Sequence, residues 1–123
     1  MKLRAFFAAL AAVLLQPFVV VTSAAEPLQK TIDYLIQATA ESGLTFICNG
    51  SEHTATEAAA LMKRKLAFVK GEVQTPEDFI RLAASKSQLT GKPYLVSVGN
   101  GKTVPAGEWM SDPLRKYRAA HRE

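Results

Sequence analysis

The sequence contains a single cysteine, Cys48, so no disulfide bridge can form within one chain. Small domains of oxidising compartments are often stabilised by several such bridges, whereas this chain must be stabilised by side-chain packing. A leftover cysteine can pair between chains or react. Cys48 follows Phe46 and Ile47, however, and free cysteine is among the residue types most often buried. We therefore predict a buried thiol.

Histidine is almost as scarce, with only His53 and His121 in the chain. A catalytic zinc ion usually has three protein ligands, and more than one of them is commonly histidine. The carboxylates of Glu52 and Glu57 lie near His53, but no recognised metal-ligand spacing connects them, and His121 lies in the C-terminal tail. We therefore predict neither a metal ion nor another cofactor.

Only one long apolar segment occurs, and it lies close to the N-terminus. Two basic residues precede the run "AFFAALAAVLL", and the small residues "TSAA" follow it. This order is typical of a secretory signal peptide, which we place at residues 1–25, with cleavage after Ala25 or, alternatively, after Ala24. A Gln-Pro pair interrupts the run before the about 20 apolar residues that a membrane-spanning helix needs, which disfavours an uncleaved anchor.

Cleavage would leave residues 26–123 as a single small domain, because no repeat, low-complexity stretch or Gly/Ser linker divides them. Loss of two of the 15 basic side chains leaves 13 against 11 acidic ones, so the net charge falls from +4 to +2. This small excess disfavours a nucleic-acid partner. No cysteine follows the small residues to carry a lipid. We expect an exported protein without a stable membrane anchor.

Two helices and a short extended segment are predicted for the first half of this domain. Gly43 is a natural end for the first helix, and Asn49-Gly50 marks a turn. Thr54 and Glu57 have the spacing of a capping box, in which each side chain accepts a hydrogen bond from a free backbone amide at the start of the second helix. The apolar face of the first helix has helical periodicity and consists of Leu28, Ile32, Leu35 and Ile36.

The second half predicts two more helices and one hairpin. Thr75 and Pro76 mark the start of the third helix. Gly99-Asn100-Gly101 lies between two β-leaning segments and predicts a hairpin near residues 94–105. Ser111 or Asp112 can cap a last helix that begins at Pro113, with a solvated basic tail. The predicted fold is therefore mainly α, a small domain of three to four helices with a short β-hairpin.

Three segments also carry a family resemblance: "FICNGSEHTATEAA", "TPEDFIRLAASKSQLTGKPYLV" and "TVPAGEW". Together they resemble the YfeK-like family of small exported proteins of Gram-negative bacteria, a domain of unknown function. The resemblance implies a periplasmic location and supplies no activity. It places the motif positions of the family on Asn49, Gly50, His53, Thr54, Glu57, Ala58, Lys65, Gly91, Lys92, Pro93 and Tyr94.

The candidate binding site consists of His53, Lys92 and Tyr94. If these side chains meet near the start of the second helix, they form a patch that can bind a carboxylate, a phosphate or a peptide end. The turn and cap that support it are Asn49, Gly50, Thr54 and Glu57. Alternatively, His53 binds backbone carbonyls and only holds the turn, with Tyr94 and Trp109 in the core.

Two arrangements of nucleophiles are weaker candidates. Cys48, His53 and Glu57 could form a thiol nucleophile with its base, but burial of the thiol and the capping role of the glutamate disfavour this. A lysine base with a neighbouring hydroxyl could be formed by Ser85, Lys86 and Ser87, although a polar helix end accounts for them equally well.

These observations predict a binding or interaction module of the cell envelope, with an envelope protein or a small anionic ligand as its partner. The alternative is a small periplasmic hydrolase that uses His53 as general base. Such an enzyme needs His53 within hydrogen-bond reach of a nucleophile. A third possibility, an assembly subunit, would expose a contiguous apolar surface.

Overall fold

The computed structural model describes residues 27–122, and the predicted signal peptide lies outside this range. The helices of this part of the chain are α1 (Leu28–Glu41), α2 (Ala55–Val69), α3 (Pro76–Phe79) and α4 (Ala106–Ala120). Its strands are β1 (Thr45–Cys48), β2 (Ser51–His53), β3 (Leu95–Gly99) and β4 (Lys102–Pro105). No helix within it has the length and apolarity needed to cross a bilayer.

The strands form one antiparallel sheet in the order β2-β1-β3-β4. The four helices confirm the mainly helical prediction, and the predicted hairpin is present as β3 and β4. The β element is larger than the predicted hairpin, because β1 pairs with both β2 and β3. Asn49 and Gly50 have φ values of 54° and 79°, as the tight turn of a two-residue hairpin requires. The β2 segment, Ser-Glu-His, is short and polar, so its own residues do not predict a strand.

One face of the sheet is covered by the helices and forms the core. Phe46, Cys48 and Val96 point into this layer, and Cys48 is only 7% exposed, which confirms the predicted burial of the thiol. The helices contribute large buried side chains from all four of their segments: Ile32, Leu35, Met62, Phe79, Met110 and Leu114. This layer of packed side chains holds the chain together without a disulfide bridge.

The predicted helix signals are confirmed at three ends. Gly43 follows α1 with a φ of 69°. Thr54 and Glu57 form both bonds of the capping box at the start of α2. At α3, the hydroxyl of Thr75 accepts a hydrogen bond from the backbone N–H of Asp78, and Pro76 occupies the first turn. These are local interactions that depend on few residues, so they can be predicted from the sequence.

The last helix begins at Ala106, and the prediction that it begins at Pro113 was wrong, because Pro113 lies inside α4. A proline inside a helix lacks one hydrogen-bond donor and costs about 3 kcal/mol. Burial of one face outweighs this cost, since Ala106, Met110, Leu114 and Tyr117 recur at helical spacing and are all buried.

The end of α3 and the start of α4 approach each other very closely. The chain continues α3 as a π-helical segment, Ile80–Ala84, and the hydroxyl of Ser85 donates a 2.6 Å hydrogen bond to the carbonyl of Ile80. A Cβ atom at Gly107 would lie 2.5 Å from the Oγ atom of Ser85. A larger residue at this position would therefore displace the Ser85 hydroxyl, and π-helical turns of this kind are frequent at functional sites.

We expect Gly107→Ala to lower the free energy of unfolding by about 1–3 kcal/mol, because the added methyl group overpacks the contact with Ser85. A loss of stability would point to this contact, because replacing glycine by alanine inside a helix otherwise raises stability by about 1 kcal/mol. Urea denaturation of Gly107→Ala, Ser85→Ala and the double variant measures the coupling between the two sites. The double variant should recover part of the loss, and a Gly107→Ala protein as stable as the original would contradict this contact.

Candidate functional site

His53 is the last residue of β2, and its side chain is 28% exposed. Its Nδ1 atom lies 3.6 Å from Oε1 of Glu57, the same oxygen that accepts a 3.0 Å hydrogen bond from the backbone N–H of Thr54. Within residues 27–122, the imidazole of His53 forms no hydrogen bond to a backbone carbonyl, to a hydroxyl or to the thiol of Cys48. Among the described residues, its polar partner is Glu57 of the helix cap.

Tyr94 and Lys92 have different environments. Tyr94 is buried, as the alternative interpretation expected, whereas Lys92 is exposed. Across the sheet, His53 pairs with Phe46, and Phe46 pairs with Val96. His53 is therefore aligned with Val96, which lies two residues after Tyr94. No hydrogen bond or ion pair between described side chains joins His53 to Lys92 or Tyr94. A binding site formed by these three residues stays a prediction.

The loop of residues 85–94 is attached to the β1–β2 turn. The hydroxyl of Thr90 donates a 2.8 Å hydrogen bond to Oδ1 of Asn49. Inside the loop, the buried hydroxyl of Ser87 accepts bonds from the backbone N–H groups of Leu89 and Thr90 at 3.1 and 3.2 Å. The hydroxyl groups of Ser85 and Ser87 thus bind the backbone, so they organise the loop instead of facing a lysine base.

Lys65 is the residue that the predicted site omitted, although the resemblance placed a motif position on it. Its Nζ atom donates hydrogen bonds to the hydroxyl of Tyr94 at 3.1 Å and to the carbonyl of Lys86, and it lies 4.6 Å from the centroid of the Tyr94 ring. Burial lowers the pKa of Lys65, and the adjacent Cys48 opposes this shift. Lys65 thereby joins α2 to the loop.

Cys48 completes this half-buried cluster. Burial raises the pKa of its thiol, and the ammonium group of Lys65 partly offsets the increase. Burial likewise raises the pKa of Tyr94, with a further contribution from Cys48. A neutral thiol is a poor nucleophile, so the environment of Cys48 favours a structural role.

We expect the stability of the protein to fall as the pH rises above about 8.5, the ordinary pKa of a cysteine thiol, because of Cys48. Its folded-state pKa exceeds the unfolded value of about 8.5, so the stability it contributes is complete below that value and is lost as the pH rises through the folded-state pKa. The lowered pKa of Lys65 has the opposite sign and is retained in a Cys48→Ala variant. Urea denaturation across this range should show a shallower fall for Cys48→Ala, and equal slopes would contradict the assignment.

His53→Ala should lower the free energy of unfolding by less than about 1 kcal/mol, because its exposed contact with Glu57 is of a kind that contributes little. Thr54→Ala is the matched comparison, since it removes the acceptor that caps α2 and should cost about 1 kcal/mol. Chemical denaturation of both variants measures the two effects. A loss above about 2 kcal/mol for His53→Ala would mean that His53 holds the turn.

A groove lies between the α3 side of the molecule and α4. It has a volume of about 550 Å³. Its apolar floor includes Ile80, Gly107 and Leu114, so the close approach at Gly107 forms part of it. The lining also contains four arginines, which we call its rim: Arg81, Arg115, Arg118 and Arg122. We call this feature the arginine groove.

Carboxylates hold three of these arginines in position. Arg118 donates two hydrogen bonds to Glu77, at 2.7 and 3.1 Å, and these bonds are the main reason that the pKa of Glu77 is lowered. Arg81 binds Asp78 at 2.9 Å, and Arg115 binds Asp112. The side chains of Arg81 and Arg115 are 64% and 69% exposed, so their ion pairs are weak and an incoming anion can replace them.

The sequence interpretation treated the arginines of α4 as a solvated tail because it placed the start of the helix too late. Once the helix begins at Ala106, a single face carries the groove residues of α4: Gly107, Ser111, Leu114, Arg115, Arg118 and Ala119, and Arg122 follows the end of the helix. Their helical spacing was the available signal. Within residues 27–122, no group of three or more His, Cys, Asp or Glu side chains is arranged to hold a metal ion.

Comparison with known proteins identifies the family. The sequence model of the "Family of unknown function (DUF5329)" matches residues 26–118. The "Uncharacterized protein YfeK" of Salmonella typhimurium is 39% identical over 64 residues, which are 51% of this chain and 53% of that relative. The chain therefore spans about half the length of this curated relative. No solved structure is significantly similar. The YfeK-like resemblance is confirmed, and the chain belongs to the DUF5329 family of unknown function.

Proposed function

We propose that this protein is an exported binding module of the bacterial envelope, and that its arginine groove holds a ligand with an apolar body and an anionic group. The observation that carries this proposal is the placement of four arginines around one groove of about 550 Å³. Ligand sites commonly have volumes of about 300–1,000 Å³, an apolar lining and a few convergent polar groups. The predicted signal peptide and the family resemblance support the location.

The chemistry of the rim favours a carboxylate or a phosphate as the anionic group. Arginine presents a planar fork of donors that matches two oxygens of such a group. Arg118 and Glu77 already form a contact of this kind inside the groove, with two hydrogen bonds to one carboxylate. Arg81 and Arg115 offer the same donors in exposed pairs, where exchange with a ligand costs little.

The charges and the floor of the groove act together. Its lining contains four arginines and one glutamate, so it carries an excess of positive charge. Asp78 and Asp112 lie outside the lining and pair with Arg81 and Arg115, which reduces this positive charge without cancelling it. The floor offers Ile80 and the buried Leu114 to an apolar group. A ligand with both parts gains from apolar burial and from charge-assisted hydrogen bonds.

Binding fits the geometry better than catalysis. A hydrolase that uses His53 as general base needs a nucleophile within hydrogen-bond reach. The imidazole instead contacts Glu57, and in the described part of the chain no hydroxyl or thiol is hydrogen-bonded to it.

Decanoate, used below its micelle-forming concentration, is a suitable probe because it combines one carboxylate with an alkyl chain. Titration of the ¹⁵N-labelled protein should shift the amide signals of Gly107, Ser111 and Ala119, which line the groove. Decanol and decyltrimethylammonium should bind more weakly than decanoate, since neither offers an anion to the arginines.

The export is tested by mass spectrometry of the protein recovered from the periplasm. Its mass should correspond to a chain from which the signal peptide has been cleaved after Ala24 or Ala25.

Arg81→Ala and Arg115→Ala should each weaken decanoate binding by about tenfold, because each removes a charge-assisted hydrogen bond. Lys102→Ala, which removes an exposed basic side chain of β4 outside the groove, is the control and should leave the affinity unchanged. Equal affinities for the three alkyl probes, or signal shifts outside the groove, would contradict the proposal.

A further inference from the structure

Two large apolar side chains project almost completely into solvent. Phe68, near the end of α2, is 83% exposed, and Leu89, in the loop of residues 85–94, is 92% exposed. Tyr34 and Val98, the other exposed large apolar residues in the described part of the chain, are only 38% and 39% exposed. The arginine groove contains neither Phe68 nor Leu89, so they call for a separate explanation.

Phe68 and Leu89 lie at the same end of the molecule. Only Thr54 separates β2 from α2, and Lys65 of α2 lies close enough to Cys48, the last residue of β1, to interact with it electrostatically. The helix α2 therefore runs back past the β1–β2 turn. A helix of 15 residues is about 22 Å long, whereas a strand of three residues spans about 10 Å. The second half of α2 therefore extends beyond that turn, and the Thr90–Asn49 hydrogen bond holds the loop with Leu89 beside it.

A direct contact connects the two elements. Lys65 of α2 binds the carbonyl of Lys86 and the hydroxyl of Tyr94, at the two ends of the loop. Phe68 follows Lys65 by three residues, which is nearly one helical turn, so it lies on the flank of α2 that faces the loop. The packed helix and the loop thus present Phe68 and Leu89 on one surface.

Exposed basic side chains surround this pair. Arg64 precedes Phe68 by four residues and shares its helix face, while Lys86 and Lys92 lie on either side of Leu89 in the loop; all three are exposed. Glu72, in the turn that follows α2, is the acidic residue nearest to Phe68 in the sequence. We name the surface formed by Phe68, Leu89, Arg64, Lys86 and Lys92 the docking end.

We propose that the docking end binds reversibly to the surface of a bilayer that contains anionic phospholipids. Aromatic and leucine side chains enter the interfacial layer, and each nearby lysine or arginine is attracted to the negative headgroups. A protein partner fits this surface less well. Protein interfaces are depleted in lysine, and they prefer a contiguous apolar patch to two projecting side chains.

Vesicle sedimentation tests this proposal with residues 26–123, the segment that contains the whole described fold. We expect binding to vesicles of phosphatidylglycerol and phosphatidylcholine, and little binding to phosphatidylcholine alone. Raising the salt concentration from about 0.1 M to about 1 M should reduce binding, because the screening length falls from about 10 Å to about 3 Å. The Phe68→Ser/Leu89→Ser variant should bind at least about tenfold more weakly, since it loses two apolar side chains from the interface.

Matched controls exist at the opposite end of the sheet, where β3 and β4 are joined. Val98→Ser removes an exposed apolar side chain there, and Lys102→Glu reverses an exposed charge. Both should bind vesicles as the original protein does, whereas Lys86→Glu/Lys92→Glu should not. All substituted residues are exposed, and circular dichroism checks that each variant folds. Absence of binding to anionic vesicles, or unchanged binding of the Phe68→Ser/Leu89→Ser variant, would overturn the proposal.

Discussion

The packing of the helices on one face of a single antiparallel sheet is the constraint on which the rest of the structure depends. With one cysteine and no possible intrachain disulfide, the fold relies on this layer. Phe46 and Val96 from the sheet, and Ile32, Leu35 and Met110 from the helices, are all at most 2% exposed. Buried side chains at this density leave little freedom to shift, so the layer fixes where each helix presents its outer face.

Both proposed surfaces follow from that layer. The arginine groove exists because α4 approaches the end of α3 closely enough for Ser85 to contact Gly107. The arginines of α4 line the same groove. The docking end exists because α2 is longer than the short strand that precedes it, and because Lys65 ties the loop to the projecting half of the helix. In each case, a contact between two elements places exposed charged side chains that take no part in the contact itself: Ser85 with Gly107 for the arginine groove, and Lys65 with the loop for the docking end.

The residues that the sequence analysis assigned to the candidate binding site and its supporting turn mainly form contacts between elements of the fold. Thr54 and Glu57 cap α2, and Asn49 receives a hydrogen bond from Thr90, so these residues join elements together. The buried Tyr94 accepts a hydrogen bond from the partly exposed Lys65, whereas Lys92 belongs to the exposed surface around Leu89. The motif positions thus fall partly on structural contacts and partly on the docking end, since Tyr94 is buried whereas Lys92 in the same loop is exposed.

Local interactions were determined by the sequence alone: the capping box at Thr54, the cap at Thr75, the turn at Asn49-Gly50 and the burial of Cys48 after two apolar residues. Each depends on atoms a few positions apart, so its residue pattern is sufficient to predict it. Only the tertiary structure decided the pairing of β1 with β3, the helical state of Pro113 and the meeting of Arg81 with Arg118 at one groove. These features depend on contacts between distant segments, where burial of a shared core outweighs local preference and no single segment contains the information.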